Sequence, residues 1–292
     1  MENQKKRLIV IDSNSVIHRA FHALPPLTTK KGEAVGAVYG FLLVLFKALK
    51  EFKPDFVAAA FDVKGPTFRH EKYQDYKAKR VKPPQELYDQ IPKIKEVLES
   101  FNIKIFEKQG FEADDVIGTI SRLAPKKQAF PELETIILSG DTDTLQLVNG
   151  QTKVYNLRKG VKDTVLYDEA LVKEKYSLKP EQLLDFRALK GDPADNIPGV
   201  PGIGEKTALS LIQEYGSLDK VYDNLALIEG KTREKLLRHK DQAFFSRDLS
   251  QIHQDVQFDF NLQNCQWQNY DKEKAAQALK NLEFFSLISR LP

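Results

Sequence analysis

The chain has 292 residues, 41% of them hydrophobic and 29% charged, the make-up of an ordinary soluble globular protein with room for one large α/β domain and a helical extension. Its single cysteine, Cys265, excludes an internal disulfide framework and a thiolate zinc site, and apolar runs such as residues 41–46 are far too short to span a membrane. The net charge of +3 conceals an uneven distribution: Lys64, Arg69, Lys72, Lys77, Lys79, Arg80 and Lys82 stand against only Glu71 and Asp75, so a basic segment rides on a slightly acidic body and suggests a polyanion partner contacted at one place.

At the N-terminus, Lys5-Lys6-Arg7 precede an apolar stretch too short for a signal peptide, and a cytoplasmic protein is expected. Residues 7–11 read as a fully apolar strand ending on Asp12. Val38, Phe41, Leu42, Leu45, Leu49 and Phe52 recur at helical spacing, and Leu43, Val44 and Phe46 make that helix apolar nearly all round, as in a buried crossover. Residues 55–61 form a second apolar strand, ending on Asp62. After the basic segment, Pro83-Pro84 mark a break before a helix reaching about Phe101. Residues 103–106 are a short strand, 112–123 a helix with Glu112, Asp114 and Asp115 in its first turn, and 134–138 a strand leading into Ser139-Gly140-Asp141-Thr142-Asp143. Residues 152–157 and 164–167 pair as an edge hairpin. Helices follow at 168–176, 180–190, 204–215, 218–224 and 232–239, then an Asn/Gln-rich connector over 257–270 and a last helix at 272–282.

Strands alternating with helices predict a parallel, doubly wound sheet, in which ligands bind beyond the carboxyl ends of the strands. Asp12, Asp62 and the pair Asp141 and Asp143 each fall at such an end. One aspartate after a strand is commonly a cap; three strands doing so, beside an acidic helix N-terminus, point to a site. Residues 190–208 add Asp192 and Asp195 just before a Gly/Pro-dense turn that opens into a helix, where free backbone N–H groups suit a phosphate. So many carboxylates would repel one another without cations, and oxygen-only donors favour Mg²⁺ or Mn²⁺. Two such ions can support phosphodiester hydrolysis. His18 and His22, at i and i+4, lack a helical Glu of the zincin type and read as packing or surface residues; Gly202-Ile203-Gly204-Glu205-Lys206-Thr207 lacks the spacing and preceding strand of a Walker loop.

Phe61-Asp62, Thr67-Phe68-Arg69-His70-Glu71, Tyr76-Lys77-Ala78-Lys79-Arg80, Phe111-Glu112-Ala113-Asp114-Asp115-Val116-Ile117-Gly118-Thr119, Ser139-Gly140-Asp141-Thr142-Asp143 and the stretch 190–208 together resemble the 5′-nuclease domain of bacterial DNA polymerase I, within the flap endonuclease family. The likeness runs over about residues 8–291. It implies a PIN-like α/β core over 1–176, with a mostly parallel sheet flanked by helices and a basic helical arch at about 63–90. A helical DNA-binding region over 177–292 would carry a helix-three-turn-helix element at about 185–215.

The resemblance further implies two metal ions. Asp12, Asp62, Glu112 and Asp114 match the ligands of the first; Asp141, Asp143 and Asp192, with Asp114 shared, match those of the second; Asp115 and Asp195 match acids that hold metal-bound water. Lys77 and Arg80 match cations acting on the scissile phosphate, Tyr76 an aromatic near the displaced nucleotide, and Arg69 belongs with them in the DNA-binding set. Gly202, Gly204, Lys206 and Thr207 match the turn that grips duplex backbone, in some relatives with a monovalent ion such as K⁺ on its carbonyls. Relatives often carry Lys or Arg between the two acids where this chain has Thr142; the acids are kept, so tuning is expected rather than loss.

The function expected from the resemblance is a structure-specific 5′→3′ exonuclease and 5′-flap endonuclease in primer removal and DNA repair, monomeric, in the bacterial cytoplasm at the nucleoid. A polymerase domain would lie in cis or in trans, and Leu291-Pro292 suits a boundary before a linker. A relative that grips branched DNA without cutting it, and an RNA-directed PIN-like nuclease, are the alternatives. The first would gain little from concentrating negative charge near phosphates, and the second generally lacks a helical extension.

Overall fold

Six short segments dominated by Val, Ile, Leu, Ala and Phe, poor in charge and free of interior proline, pair into one sheet. The computed structural model describes residues 5–126 and 130–292. The strands are β1 (Arg7–Asp12), β2 (Phe56–Phe61), β3 (Lys104–Glu107), β4 (Glu134–Ser139), β5 (Thr152–Leu157) and β6 (Thr164–Tyr167), in the order β3-β2-β1-β4-β5-β6. All neighbours are parallel except β5 and β6. Leu8 sits opposite both Phe56 and Thr135, which sets the register around the central strand.

Both faces of this sheet are covered, which is why the strands read as continuous apolar runs rather than alternating ones. Ile9, Ile11, Ala59 and Phe61 pack on one face with the helices Ser13–Ala23, Gly36–Phe52 and Ile91–Ser100. Leu8, Val10, Ala58 and Ala60 pack on the other with the helix Ala113–Leu123. The chain leaves β1 toward β2 and β3, then recrosses to β4 and β5 on the far side. That reversal opens a crevice beyond the carboxyl ends of β1 and β4.

A third apolar cluster holds the helical region together. Leu189, Ile203, Ala208, Ile212, Leu218, Val221, Leu236 and Ala243 are its buried centre, contributed by the helices Gln182–Lys190, Glu205–Tyr215, Leu218–Asp223, Gly230–Arg238 and Lys240–Ser250. Within the expected region 177–292, the chain after Ser250 returns to the sheet. Ile252, Phe260, Leu262 and Cys265 pack on one face, and Trp267, Ala275, Leu279, Phe284 and Leu287 on the other. The Asn/Gln-rich connector is thus a strap, tied where Trp267 N–H donates to the Asp55 carbonyl at 2.7 Å. The basic segment, expected as a helical arch, is not one continuous helix. It holds only the short helices Phe68–Lys72 and Gln85–Tyr88 with turns between them, and Lys77 has a positive φ of 55° that interrupts any helix.

Among the described residues no helix is long and apolar enough to cross a membrane. Between the sheet and the helical region runs the loop after Lys190, clipped at its base. Asp192 and Ile197 exchange both backbone hydrogen bonds at 2.8 Å. The glycines on either side make this closure feasible: a Cβ on Gly199, at φ 62°, would stand 2.2 Å from the Gly191 nitrogen. Gly199→Ala should therefore lower stability by about 2 kcal/mol or more, read from the urea midpoint at unchanged m-value. A midpoint equal to wild type would show that the loop can open without cost.

Candidate metal centre

Aspartates following parallel strands come together at the crevice. Asp12 ends β1, Asp62 follows β2 and Asp141 follows β4; with Glu112 and Asp114, from the start of the helix Ala113–Leu123, they line one cleft of about 540 Å³. Several of these acids are fixed by local backbone duties. Asp12 caps the helix Ser13–Ala23 by accepting Ser15 N–H at 3.1 Å, and its other oxygen accepts the Ser139 hydroxyl at 2.6 Å. Asp62 accepts Ala113 N–H at 2.7 Å, and Asp141 accepts Asp143 N–H at 2.9 Å. A narrow recess continues inward past Asp114 and Asp141 to Asp143 and Asp195.

Cations meet much of this negative charge. Lys77 Nζ lies 2.7 Å from Glu112 and 4.0 Å from Asp195. The Arg80 guanidinium pairs with Asp195. Arg187, on the helix Gln182–Lys190, lies 2.5 Å from Asp143 and 3.8 Å from Asp192. Tyr76 donates its hydroxyl to Glu112 at 3.2 Å and also reaches Asp195 at 3.3 Å.

The ionisation of these groups follows from burial and neighbours. Burial pushes Asp12 up to about 7, with Asp141 and Asp62 adding to the rise. Burial also raises Asp143 to about 7, although Arg187 opposes it. Asp114 is driven well above the carboxylate range by burial and then by Asp12, Asp141 and Glu112. Asp62 is raised by desolvation and by Glu112, though its surface still reaches solvent at the cleft mouth. Glu112 alone in this group is held low: burial works against its charge, and Lys77 and Arg69 more than reverse that.

Among the described residues no group of three or more His, Cys, Asp or Glu is arranged to hold a metal ion as it stands. The chemistry of the donor set nevertheless fits hard divalent ions. The acids offer oxygen alone, their mutual repulsion is what a cation would relieve, and the present partners of Glu112, Asp143 and Asp195 are side chains that can exchange.

Three sequence expectations are altered by burial. Asp115 does not reach the cleft. It is fully buried, pairs with Arg69 through both oxygens at 2.7 and 2.8 Å, and also accepts Glu112 N–H at 3.1 Å and His253 N–H at 2.9 Å. Arg69 is 3% exposed, with further bonds to the Leu249 and Gln251 carbonyls at 2.9 and 2.6 Å, so it ties the basic segment to the end of the helical region and is closed to DNA. Tyr76 is 4% exposed and faces Glu112 and Asp195, not an open surface for a base. Lys77 and Arg80 do share a place, through a turn closed by Arg80 N–H on the Lys77 carbonyl at 3.0 Å. Asp192 is held in the clipped loop, outside the cleft proper, where it accepts Ala194 N–H at 2.9 Å.

Gly202 and Gly204 are exposed on the turn before the helix Glu205–Tyr215; in its first turn Lys206 is exposed and Thr207 half-buried. Of the turn carbonyls, Gly202 already accepts Lys235 Nζ at 2.7 Å. Other residues also line the cleft: His18 and His22, which the sequence reads as packing or surface residues, and Arg19, which it leaves unmarked. These three line the same cleft as Lys77 and Arg80, and Arg19 donates to the Gly140 carbonyl at 3.1 Å. Their signal was positional: the helix starts directly at Asp12, so its i, i+4 face has to flank whatever Asp12 serves. Arg187 carried no such signal.

Family models match the chain almost throughout: one described as 5′-3′ exonuclease, N-terminal resolvase-like domain, over residues 7–177, and one described as 5′-3′ exonuclease, C-terminal SAM fold, over residues 178–273. DNA polymerase I of Bacillus subtilis is 41% identical over 99% of this chain and 32% of its own length. DNA polymerase I of Caldicellulosiruptor bescii is 43% identical over 98% of this chain and 33% of its own. The chain thus spans about a third of the length of the curated relatives it matches. In fold it is similar to the bacteriophage T5 flap endonuclease, solved as a pseudo-enzyme-product complex with DNA and metal ions, with TM-score 0.69 and 17% identity over 98% of this chain and 96% of that one.

Asp115→Ala would leave the buried Arg69 guanidinium without its bidentate carboxylate, a loss of about 3–5 kcal/mol that chemical denaturation would register; a change within 1 kcal/mol would contradict the structural role. Asp12 supplies a pH test. Its folded pKa of about 7 stands above its ordinary 3.8, so the folded state keeps a proton that the unfolded chain has released, and stability from this group falls as pH rises through that window. In chelator, Asp12→Asn should match wild type near pH 4 and exceed it by on the order of 2–4 kcal/mol at pH 8. Millimolar Mg²⁺ should shrink that gain. A pH-independent difference would remove the repulsion argument.

Proposed function

Because the chain belongs to the 5′-3′ exonuclease family, we propose that it hydrolyses DNA phosphodiesters at a 5′ end or 5′ flap, releasing 5′-phosphates. The observation that carries this reading is the meeting of Asp12, Asp62, Glu112, Asp114 and Asp141 in one cleft faced by Lys77 and Arg80. Asp12, Asp62, Glu112 and Asp114 would hold one Mg²⁺ or Mn²⁺, Asp141, Asp143 and Asp192 with Asp114 a second, and Asp195 would hold metal-bound water. Such ions supply Lewis acidity to the reacting oxygens and ionise water at neutral pH.

The protein's own groups bind and orient the strand. Lys77 keeps its proton at any working pH: burial lowers its pKa, and Glu112, Tyr76 and Asp195 more than restore it. Lys77 and Arg80 can therefore exchange a carboxylate for a phosphate oxygen with their charge intact, which suits charge developing on a phosphoryl group. His18, Arg19 and His22, which line the same cleft, offer donors to the same backbone. Burial, then His22 and Arg80, lowers the His18 pKa, which disfavours the charged form of this ring. Outside the cleft, the backbone N–H groups after Gly204 and the Lys206 ammonium would take duplex phosphates. The fixed span from this turn to the clipped loop would place the cut near the junction of duplex and single strand. K⁺ at the turn would share its carbonyls with Lys235.

In this reading the partner is DNA with a single-stranded 5′ end, RNA-primed where primers are removed. The working place is the bacterial cytoplasm, with the chain acting as a monomer beside or joined to a polymerase domain. On a 5′-labelled flap duplex with Mg²⁺, Asp114→Ala and Asp141→Ala should each lower kcat by roughly a hundredfold or more. Lys206→Ala should raise KM with kcat nearly unchanged, whereas Asp192→Ala should chiefly lower kcat. Undiminished cleavage by either of the first two variants would sink the nuclease reading. Identical kinetic profiles for the second pair would dissolve only the division between duplex grip and chemistry.

A further inference from the structure

Arg187 belongs to the helical region by sequence and to the carboxylate site by contact. Its helix, Gln182–Lys190, packs against the turn that follows β4, and the guanidinium reaches across this junction to Asp143 at 2.5 Å and toward Asp192 at 3.8 Å. The two acids arrive separately: Asp143 follows β4, and Asp192 comes from the glycine-clipped loop. One side chain thus bridges acids delivered by the sheet and by the helical region. Lys77, Arg80 and Arg19 line the open cleft, and Arg187 does not. Only 17% of its side chain is exposed. A direct hold on substrate is therefore the wrong role for it, and a hold on the acids is the right one.

A guanidinium and a divalent ion compete for the same carboxylate lone pairs. With Arg187 in place, Asp143 has a partner already, and a second cation must displace a close charge-assisted pair. Without Arg187, two half-buried acids would face each other without the cation that now lies between them. We propose that Arg187 is a positioning residue, the resident counter-ion that keeps Asp143 and Asp192 together in the ion-free protein and, by competition, weakens the second divalent cation. This rests on the assignment of the second ion to Asp143 and Asp192 in the nuclease reading.

The test measures ion binding and ion-free stability on the same intact chain. Mn²⁺ is titrated calorimetrically at pH 8 without DNA, and thermal unfolding is followed in EDTA, for wild type, Arg187→Met, Arg187→Lys and Asp141→Asn. Arg187→Met should bind its weaker Mn²⁺ about tenfold more tightly, while its Tm in EDTA falls by roughly 2–4 °C. Arg187→Lys, which keeps the charge and loses the planar fork, should lie between the two. The opposite signs are diagnostic, since a merely structural arginine would weaken both on removal. Mn²⁺ affinity equal to or below wild type in Arg187→Met overturns the proposal. If that variant does not fold, unchanged Mn²⁺ affinity and unchanged Tm in Arg187→Lys overturn it instead. Identical Mn²⁺ isotherms for wild type and Asp141→Asn would overturn the ion-site reading beneath it, a failure the Arg187 variants cannot imitate.

Discussion

Repulsion among carboxylates gathered at one end of a parallel sheet is the constraint that the surrounding structure answers. Asp12, Asp62, Asp114 and Asp141 approach one another because β1, β2 and β4 run parallel and the crossover reverses at β1. Burial then makes each charge expensive, as the upward displacement of Asp12, Asp114 and Asp143 records. The fold meets this in two ways. It turns acids into caps, so that backbone N–H groups stabilise them, and it brings arginines and lysines from distant segments to their oxygens.

Those cations also assemble the molecule. Arg69 joins the basic segment to Asp115 and to the carbonyls of Leu249 and Gln251, at the end of the helical region. Lys77 and Arg80 bring the same segment onto Glu112 and Asp195, and Arg187 draws the helical region onto Asp143. Sheet, basic segment and helical region therefore meet at the acids. The strap after Ser250 fixes the arrangement from behind by returning apolar side chains to both faces of the sheet. A site built this way is positioned by the whole chain, although the residues it uses come from a few turns.

Much of this was legible beforehand. The strands could be read because a sheet covered on both faces demands uninterrupted apolar runs, and 7–11, 55–61 and 134–138 are such runs. The acids could be read because each follows a strand or opens a helix. Helical conformation of the basic segment could not be judged: its composition permits a helix, and the left-handed turn at Lys77 follows from the Lys77 N–H bond to the Asp195 carbonyl at 2.9 Å, a partner 118 positions away. The C-terminal strap was illegible for a similar reason, since Phe260, Leu262 and Trp267 have no period of their own and gain meaning only from the surfaces that they cover.

By itself the sequence determined which chemistry is present: oxygen donors without thiolates, a basic stretch, a glycine-rich entry to a helix, and apolar runs that must become a parallel sheet. Those properties are local, written in residue type and spacing. Only the tertiary structure decided what each charge does. Asp114 and Asp115 are adjacent in the chain, yet one faces the cleft and the other is sealed against Arg69. Arg187 and Arg80 are both arginines near acids, yet Arg80 lines the open cleft and Arg187 bridges two acids outside it. Successive residues of a helix point in different directions, and the partners that separate their roles lie scores of residues away, so no local pattern could have assigned them.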